Sequence, residues 1–347
     1  MTTVETSVRE GVAHLVLSRA SALNALDTDT VLAMRDALDR WRGDPDIRAV
    51  VVRSGTPRAF CAGGDIRAIR EAALRGDFAA TTRFFREEYA LNQEIAEYPK
   101  PYLALIDGVA MGGGLGISVH GAVRVATERS VFAMPETLIG FFPDIGACHF
   151  LPRLGGALGR YLGLTGARLS GADAVKAGLA THFVSSADLP EFTAALDTAE
   201  PDDALAKYAR TAPPSDLDDI GDRIATAFAP GSLSDVTGRL RADGSAWAET
   251  ALGSLAAASP LSLALTDEML RLGGRDSLAQ CLRRDLAVAS RLVREPDFAE
   301  GVRAKLVDKT GDARWSFPST EAVPHDRIPA LLGDWRGVAS YLPPQRE

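Results

Sequence analysis

The sequence predicts an α/β fold over residues 1–190, followed by a mostly helical region over residues 191–347. Two patterns lead to this prediction. Short apolar runs that fit buried strands alternate with segments of helical periodicity as far as about residue 190. Beyond that point the chain has helical periodicity without a convincing strand, most clearly over residues 235–308. Such an arrangement is typical of a layered α/β structure with some parallel strand pairing and a helical second part.

The first predicted elements are a strand and a helix. Val12–Leu17 is an apolar run of the length of a short strand. Thr28 can cap a helix, because apolar residues follow it at spacings of three and four: Val31, Met34, Leu38 and Trp41. The Asp44-Pro45 dipeptide ends this helix, and residues 49–52 form the next apolar run.

The elements that follow surround two glycine-rich segments. Residues 58–65 form a predicted loop, with a helix after Asp65. A long helix is predicted over residues 78–97, because Pro99 and Pro101 stop it. Gly112, Gly113 and Gly114 then lead into a short predicted helix over residues 115–120. The remaining predicted strands are Tyr102–Ile106, Val123–Ala126 and Val131–Ala133.

The predicted helical region has two parts. Residues 201–230 are rich in Asp, Ala and Pro. Farther along, one face of a predicted helix carries Leu278, Leu282, Leu286 and Ala289.

Composition and charge exclude several classes of protein. The chain has 347 residues and a net charge of −8, which argues against a nucleic-acid partner, because that affinity depends on Lys and Arg contacts to phosphate. Cys61, Cys148 and Cys281 are far apart, so no disulfide framework or zinc ribbon is indicated. The N-terminus lacks an apolar signal core, and no run of about 18 apolar residues exists. We therefore expect a soluble, cytoplasmic protein without membrane contact.

Several common motifs are absent from the sequence. Residues 112–116 read Gly-Gly-Gly-Leu-Gly and fit GxGxxG in no register, which leaves a dinucleotide-binding fold unsupported. Ser118 lies in a stretch one residue too long for a GxSxG nucleophile elbow. The five histidines lack the spacing of metal ligands, so no metal site is predicted.

Two strand-to-loop junctions carry glycines just before a predicted helix, at residues 59–66 and 107–116. Unpaired N–H groups at such a junction can bind an oxyanion, and the missing side chains allow a substrate to approach the backbone. For either loop alone, the pattern more often indicates an ordinary tight turn than an oxyanion-binding site.

A third stretch, residues 132–146, places Glu136 and Asp144 in a strongly apolar run. A carboxylate that loses solvation has a raised pKa, which suits a general acid or base. The alternative is that both residues only cap turns or helix starts.

Together, these three stretches resemble the crotonase (enoyl-CoA hydratase/isomerase) superfamily. The resemblance runs from Val12 to about Val184 and includes residues 166–174 and 177–179. It implies a spiral of repeated ββα units as the catalytic core. It also implies that the N–H groups of Gly64 and Gly113 hold the thioester oxygen of a coenzyme A substrate, which favours an enolate or a tetrahedral oxyanion.

Departures from the family pattern distinguish its branches. Enoyl-CoA hydratases carry two glutamates, and here Gly116 stands at the first position while Glu136 occupies the second. Asp144 stands where those hydratases usually have glycine. The sequence is instead similar to the 3-hydroxyisobutyryl-CoA hydrolase branch, in residues 84–89, 116–121, 124–128, 132–137, 142–144, 180–184, 298–304 and 308–309.

This resemblance implies thioester hydrolysis of a short 3-hydroxyacyl-CoA, with Glu136 as nucleophile or as the base that activates water. Asp144 and Glu88 are then expected near the acyl end, although Glu88 could equally be an exposed helix acid. Coenzyme A, which is part of the substrate and not a separate cofactor, is expected to contact Arg58 and the backbone around Ala62 and Asp65.

The resemblance leaves alternatives open. One is an enoyl-CoA hydratase or isomerase that uses Glu136 alone, and another is a catalytically silent acyl-CoA binder. Valine breakdown is the implied metabolic context, and a homo-oligomer is possible because family members often form trimers or hexamers.

Overall fold

The structure of the protein is a computed structural model, which describes residues 3–340. Contacts group these residues into two compact units that are interleaved along the sequence. The first unit comprises the described residues up to Asp65 together with Ala90–Phe132 and Leu169–Asp218. The second comprises Ile66–Tyr89, Ala133–Arg168 and the described residues from Asp219 onward.

Residues 3–340 contain ten strands, which form two sheets. In chain order they are β1 (Val4–Arg9), β2 (Val12–Leu17), β3 (Ala49–Ser54), β4 (Ala59–Cys61), β5 (Tyr102–Ile106), β6 (Val109–Met111), β7 (Val123–Ala126), β8 (Val131–Ala133), β9 (Leu169–Ser170) and β10 (His182–Phe183). The larger sheet has the order β1-β2-β3-β5-β7-β10, and the smaller has the order β4-β6-β8-β9. Only β1 pairs antiparallel in the larger sheet, whereas all its other pairings are parallel.

Helices alternate with the strands up to β10, and after β10 the named elements of the described chain are all helices. The first eight are α1 (Thr28–Arg42), α2 (Ile66–Leu74), α3 (Phe78–Ala96), α4 (Gly113–Gly116), α5 (Ala147–Phe150), α6 (Leu158–Thr165), α7 (Gly171–Ala177) and α8 (Leu189–Thr198). The others are α9 (Pro201–Tyr208), α10 (Leu217–Ala227), α11 (Leu233–Asp243), α12 (Ala246–Ala257), α13 (Pro260–Gly273), α14 (Leu278–Leu292), α15 (Pro296–Val302) and α16 (Arg327–Leu332). A π-helix, Arg303–Val307, continues α15.

The core of the first unit lies against one face of the larger sheet. Alternate residues of its strands point to the same side, and those of β3 and β5 on this side include Val51 and Leu103. Phe192 of α8 and Leu205 of α9 are buried against them. Burial of this apolar surface explains why the central strands are nearly continuous runs of Val, Leu and Ala.

Most of the predicted elements are confirmed. Val12–Leu17, Tyr102–Ile106, Val123–Ala126 and Val131–Ala133 have the predicted bounds. The predicted face of α14, at positions 278, 282, 286 and 289, includes three fully or almost fully buried residues: Leu282, Leu286 and Ala289. Within residues 3–340, Cys61, Cys148 and Cys281 are all buried and form no disulfide.

Three local predictions are wrong. The cap of α1 is Asp27, whose side chain accepts a hydrogen bond from the Thr30 N–H, so Thr28 is already the first helical residue. The supposed loop over residues 58–65 contains β4, because Ala59–Cys61 pairs with β6. The helix expected over residues 115–120 is instead the short α4, which begins at Gly113.

The predicted division at residue 190 separates two kinds of secondary structure. Every strand in the described residues lies before position 184, and helices dominate thereafter. The two compact units, however, each combine segments from several parts of the chain. Residues 341–347 of the predicted helical region lie outside the described residues. Among residues 3–340, no helix is long and apolar enough to cross a membrane.

Candidate active site

The first unit contains the two glycine loops that the sequence predicts as an oxyanion site, and these loops follow β4 and β6. These strands are parallel neighbours, so their carboxyl ends release the two loops side by side. A Cβ atom on Gly63 would lie 3.0 Å from the carbonyl oxygen of Met111, and one on Gly114 would lie 2.2 Å from that of Cys61. Glycine is therefore required at both positions for the loops to approach this closely.

Two backbone amides in these loops are free to donate. Within residues 3–340, neither the N–H of Gly64 nor that of Gly113 has a hydrogen-bond acceptor. Gly113 is the first residue of α4, where an amide has no intrahelical partner. The two amides that the sequence predicts as an oxyanion site are thus both unpaired.

The second unit contains a cluster of three acids that the sequence predicts as site residues: Glu88, Glu136 and Asp144. Their exposed fractions are only 2%, 7% and 6%. Asp144 and Glu136 both raise the pKa of Glu88, and Asp144 also raises the pKa of Glu136. The three carboxyl groups therefore lie close to one another. Glu88 is therefore not the exposed helix acid of the alternative interpretation, and this alternative is excluded.

Two carboxyl oxygens of this cluster are buried without a partner. Neither Oε1 of Glu88 nor Oε2 of Glu136 has a hydrogen-bond partner in the part of the chain that the structure describes. Leaving a buried polar atom unpaired costs on the order of 1–3 kcal/mol. Such a cost points to a role outside folding, since a substrate or a water molecule can satisfy these oxygens.

Glu136 is held by a short, strongly constrained turn. It begins the 3-10 helix Glu136–Ile139, which ends at Gly140 in a left-handed conformation with φ of 70°. A Cβ atom at Gly140 would lie 2.2 Å from the carbonyl oxygen of Asp297, so no larger residue fits there. The carbonyl of Thr137 also accepts a hydrogen bond from the Ser259 N–H at 3.0 Å. These contacts fix the direction in which the Glu136 side chain leaves the backbone.

Asp144 is held by two residues from distant segments. The Tyr89 hydroxyl donates a hydrogen bond to Asp144 Oδ2 at 2.6 Å. Just after Asp144, Ile145 has a φ of 54°, which is a strained conformation for a β-branched side chain. The N–H of Gly146 donates to Oδ2 of the buried Asp285 at 2.8 Å, which ties this strained turn to α14.

Tyr89 and Asp285 were not identified from the sequence as site residues. Tyr89 follows Glu88 in a segment that matched the family, but nothing in its spacing indicated a contact with position 144. Asp285 is flanked by the apolar positions of α14, and an acid there is the signal that was available. A charged residue on an otherwise buried face is rarely placed without a partner.

Aromatic rings surround the acids of the second unit. Phe85 stacks on Tyr89 with ring centroids 5.9 Å apart, and on Phe141 at 5.5 Å. Phe141 also contacts Phe142 at 4.9 Å and Phe298 at 5.6 Å. These rings keep water away from the carboxyl groups, which makes their ionised forms costly.

The pKa values of all three acids are raised. Burial is the main cause of the raised pKa of Glu88, and repulsion from Asp144 and then Glu136 adds to it. Burial and then Asp144 raise the pKa of Glu136 well above its ordinary value. Burial raises the pKa of Asp144 to about 7, although the Tyr89 hydrogen bond opposes this shift. Three interacting carboxyl groups therefore do not all ionise near neutral pH.

This protonation predicts how stability depends on pH. Between the ordinary pKa of 4.5 and its raised native value, Glu88 holds a proton that the unfolded chain has lost, so the free energy of unfolding falls as pH rises. We expect Glu88→Gln to remove this contribution and to flatten the decline between pH 5 and pH 8. Urea unfolding at several pH values measures the effect, which is at most about 1.4 kcal/mol per pH unit for one proton.

The exposed Glu71 on α2 offers a matched control for this measurement. Glu71→Gln removes the same charge from solvent, and its stability curve should run parallel to that of the wild type. If the Glu88→Gln curve is also parallel, Glu88 is not protonated in the native protein.

The residues predicted to contact coenzyme A lie in the first unit. Arg58 is exposed just before β4. The N–H groups of Ala62 and Asp65 donate to the carbonyls of Leu23 and Leu26, so neither amide is available to a ligand. The Asp65 side chain pairs with Arg19 at 2.7 Å. A ligand at Ala62 or Asp65 would therefore meet a carbonyl oxygen or a side chain, not the N–H group of either residue.

No group of three or more His, Cys, Asp or Glu side chains is arranged to hold a metal ion anywhere in the described chain.

Comparisons with known proteins identify the family. The enoyl-CoA hydratase/isomerase family matches residues 12–332. The mitochondrial 3-hydroxyisobutyryl-CoA hydrolase of Xenopus tropicalis is 43% identical over 325 residues, which cover 90% of this chain and 84% of that protein. The chain therefore belongs to the enoyl-CoA hydratase/isomerase family, and the predicted resemblance to its hydrolase branch is confirmed.

Solved structures share the fold of this chain, but the proteins in them are named for other activities. An enoyl-CoA hydratase from Rhodobacter sphaeroides is 38% identical with a TM-score of 0.91, covering 97% of this chain and 99% of that chain. A carnitinyl-CoA dehydratase from Mycobacterium thermoresistibile is 37% identical with a TM-score of 0.92, covering 96% and 97%. The crotonase-like fold predicted from the sequence is thereby confirmed.

Proposed function

We propose that this protein hydrolyses a short 3-hydroxyacyl-CoA thioester, with 3-hydroxyisobutyryl-CoA as substrate and 3-hydroxyisobutyrate and CoA as products. The observation that carries this proposal is the buried acid cluster, in which Glu136 has an unpaired oxygen and Asp144 is oriented by Tyr89. The 43% identity to a protein named 3-hydroxyisobutyryl-CoA hydrolase supports the choice of substrate.

In the proposed reaction the free amides of Gly64 and Gly113 bind the thioester oxygen. Negative charge develops on this oxygen when a nucleophile adds to the carbonyl carbon, and preorganised N–H donors stabilise that charge. The sulfur of CoA then leaves as a thiolate and takes up a proton. Gly63 and Gly114, which neighbour these two residues, are required because a Cβ atom at either position would prevent the close approach of the two loops.

Glu136 has two possible roles in this step. As a nucleophile, its carboxylate adds to the carbonyl carbon and forms a mixed anhydride, which water then hydrolyses. As a general base, it takes a proton from the water that attacks the carbonyl carbon. Its raised pKa makes the ionised carboxylate a stronger base than that of an exposed glutamate.

Asp144 and Glu88 are proposed to bind the 3-hydroxyl group of the substrate. One oxygen of Asp144 is occupied by Tyr89, and the carboxylate retains capacity to accept a hydrogen bond from the substrate hydroxyl. Glu88 is repelled by both neighbouring acids, so we assign it the proton that the cluster retains. In that state it can donate a hydrogen bond to the hydroxyl or to a water molecule.

Coenzyme A is proposed to enter only as part of the substrate, without a separate cofactor. Arg58 is exposed and carries the charge that suits an anionic nucleotide. The segment from Ala62 to Asp65 follows β4 directly, and its backbone is the second contact that we assign to coenzyme A. This contact would be made without any of the amides that the segment already uses.

The main alternative is an enoyl-CoA hydratase or isomerase that uses Glu136 alone. Two solved structures at 37–38% identity have the titles of a hydratase and a dehydratase, which favours this alternative. Against it, residue 116 is a glycine buried in α4, so the first of the two carboxylates of the hydratase pattern is missing. A silent acyl-CoA binder is the third possibility.

One assay separates these functions. The purified protein is incubated with 3-hydroxyisobutyryl-CoA and, separately, with crotonyl-CoA, while thiol release and enoyl absorbance are both followed. We expect rapid thiol release from the first substrate and little loss of absorbance with the second. Fast hydration of crotonyl-CoA would contradict the hydrolase proposal, and binding without either reaction would identify a binder.

We propose the cellular setting from the chemistry of the substrate and from the composition of the chain. Valine breakdown is the context in which this substrate would arise, and the sequence pattern favours a cytoplasmic location. Growth of a deletion strain on valine and fractionation of the native cell test these two proposals. Sedimentation of the purified chain decides whether it forms a homo-oligomer.

A further inference from the structure

A cleft of about 460 Å³ lies in the first unit, at the carboxyl ends of β3 and β5. Arg53 and Leu105 line it from the sheet, and Thr193 lines it from α8. Arg9 and Arg129 complete its basic side. None of these residues belongs to the candidate active site or to the coenzyme A contacts predicted from the sequence.

Arg53 has no partner in this cleft. Its side chain is half-buried, its Nε atom is inaccessible, and it forms no hydrogen bond or ion pair within residues 3–340. Other partly buried arginines of the same unit are satisfied: Arg48 donates to the carbonyls of Leu196 and Ala199, and Arg124 donates to that of Leu179. An unpaired guanidinium at such a depth is costly unless a ligand completes it.

The charges that face Arg53 leave the cleft positive. Burial and the nearby Arg9 lower the pKa of Arg53, whereas Glu5 and Asp197 oppose this shift. Asp197 is shared, because it lies 2.7 Å from His14 Nε2 and 3.9 Å from Arg9. Glu5 does not line the cleft.

Arg129, on the other side of the cleft, already has two partners. Its Nη1 lies 3.2 Å from Asp107, and its Nη2 donates to the carbonyl of Pro57. Three arginines therefore face one lining carboxylate, on a protein whose overall charge is −8. The cleft attracts an anion that carries about two negative charges.

We propose that this cleft binds the phosphate group of a small ligand, with Arg53 as its central contact. A phosphate monoester carries about −1.5 to −2 charges at neutral pH, which matches the excess of positive charge. The planar guanidinium of Arg53 can donate two parallel hydrogen bonds to phosphate oxygens, and Arg9 supplies a second cation from the edge of the cleft.

The test is calorimetric titration of the full-length protein with inorganic phosphate at pH 7.5, with ionic strength held constant by chloride. We expect saturable binding to the wild type and binding that is about tenfold weaker, or more, to Arg53→Gln. Arg53→Lys keeps the charge without the planar fork and should fall between the two. Arg40→Gln removes an equal charge from an exposed, ion-paired arginine of α1 and should bind like the wild type.

Two results would overturn the proposal. One is the absence of saturable phosphate binding by the wild type, and the other is equal affinity in Arg53→Gln and Arg40→Gln. Loss of folding is checked by melting temperature without phosphate, where Arg53→Gln should be no less stable, because it removes an unpaired buried charge. If that variant does not fold, Arg9→Gln at a 60% exposed side chain takes its place, and unchanged affinity there counts against the site.

A second experiment identifies where the phosphate comes from. Acyl-CoA substrates carry a 3′-phosphate, so KM is measured for an acyl-CoA and for its 3′-dephospho form. If Arg53→Gln raises KM about tenfold for the first alone, the cleft receives the phosphate of the substrate. If neither KM changes while phosphate binding is lost, a separate phosphate ligand occupies it. Both results support a phosphate cleft, and the calorimetric result does not depend on the proposed hydrolase activity.

Discussion

Glu136→Gln is expected to lower kcat for thioester hydrolysis by about 10²-fold or more, while the affinity for the substrate changes little. Glutamine keeps the shape of the side chain but is neither a nucleophile nor a base. The unpaired oxygen of Glu136 is the atom that does the chemistry in both proposed routes. Thiol release under saturating substrate measures the change, and binding of the substrate to the inactive variant is measured by calorimetry.

Glu71→Gln is the matched control, because it makes the same change at an exposed position of α2 and should leave kcat unaltered. Thiol release by Glu136→Gln at a rate near that of the wild type would remove Glu136 from the mechanism. The two routes are separated by a single turnover in ¹⁸O-labelled water. The anhydride route can place the label in the carboxyl group of Glu136, whereas the general-base route places it only in the product acid.

Asp144→Asn is expected to abolish the preference for a hydroxylated acyl group. A site that hydrogen-bonds a substrate hydroxyl discriminates strongly against analogues that lack it, and this discrimination disappears with the acceptor. We expect kcat/KM for 3-hydroxyisobutyryl-CoA to fall about 10²-fold, and that for isobutyryl-CoA to fall much less. The ratio of the two constants is the measured quantity.

Tyr89→Phe tests the same group without removing the carboxyl. The hydrogen bond from Tyr89 lowers the pKa of Asp144, which is about 7, so losing it should move the acidic limb of the pH–rate profile to higher pH. If Asp144→Asn lowers kcat/KM equally for both acyl groups, Asp144 does not bind the hydroxyl. A Tyr89→Phe profile that coincides with the wild type would show that the ionisation of Asp144 does not control the rate.

The local elements of the site were predictable because each is encoded in consecutive residues. Apolar runs with the length of a strand identified the neighbours of both glycine loops. Within these loops, Gly64 and Gly113 were indicated by the resemblance to the crotonase superfamily. Glu136 and Asp144 stand out because charged residues are rare in an apolar run. The cap of α1 was misassigned by one residue because Asp27 and Thr28 are both good capping residues, and the choice depends on backbone geometry.

The partners of these residues could not be predicted in the same way. Tyr89 lies 55 positions from Asp144 along the chain, and Gly146 lies 139 positions from Asp285. Glu88 had equal chances of being buried or exposed, since helical periodicity alone does not say which face of α3 is covered. No local pattern records such contacts, because they arise only when segments from three parts of the chain pack together.

The sequence by itself determined the fold class, the family and the principal carboxylates, because each depends on residue types at short, fixed spacings. The two amides were indicated by the resemblance to that family. Only the tertiary structure decided the burial of Glu88, the hydrogen bond to Asp144 and the lack of a hydrogen-bond or ion-pair partner for the Arg53 side chain within residues 3–340. These properties set the pKa values of the acid cluster and the charge balance of the cleft around Arg53. The physical reason is that desolvation and Coulomb interactions depend on distance in space, which the spacing along the chain does not specify.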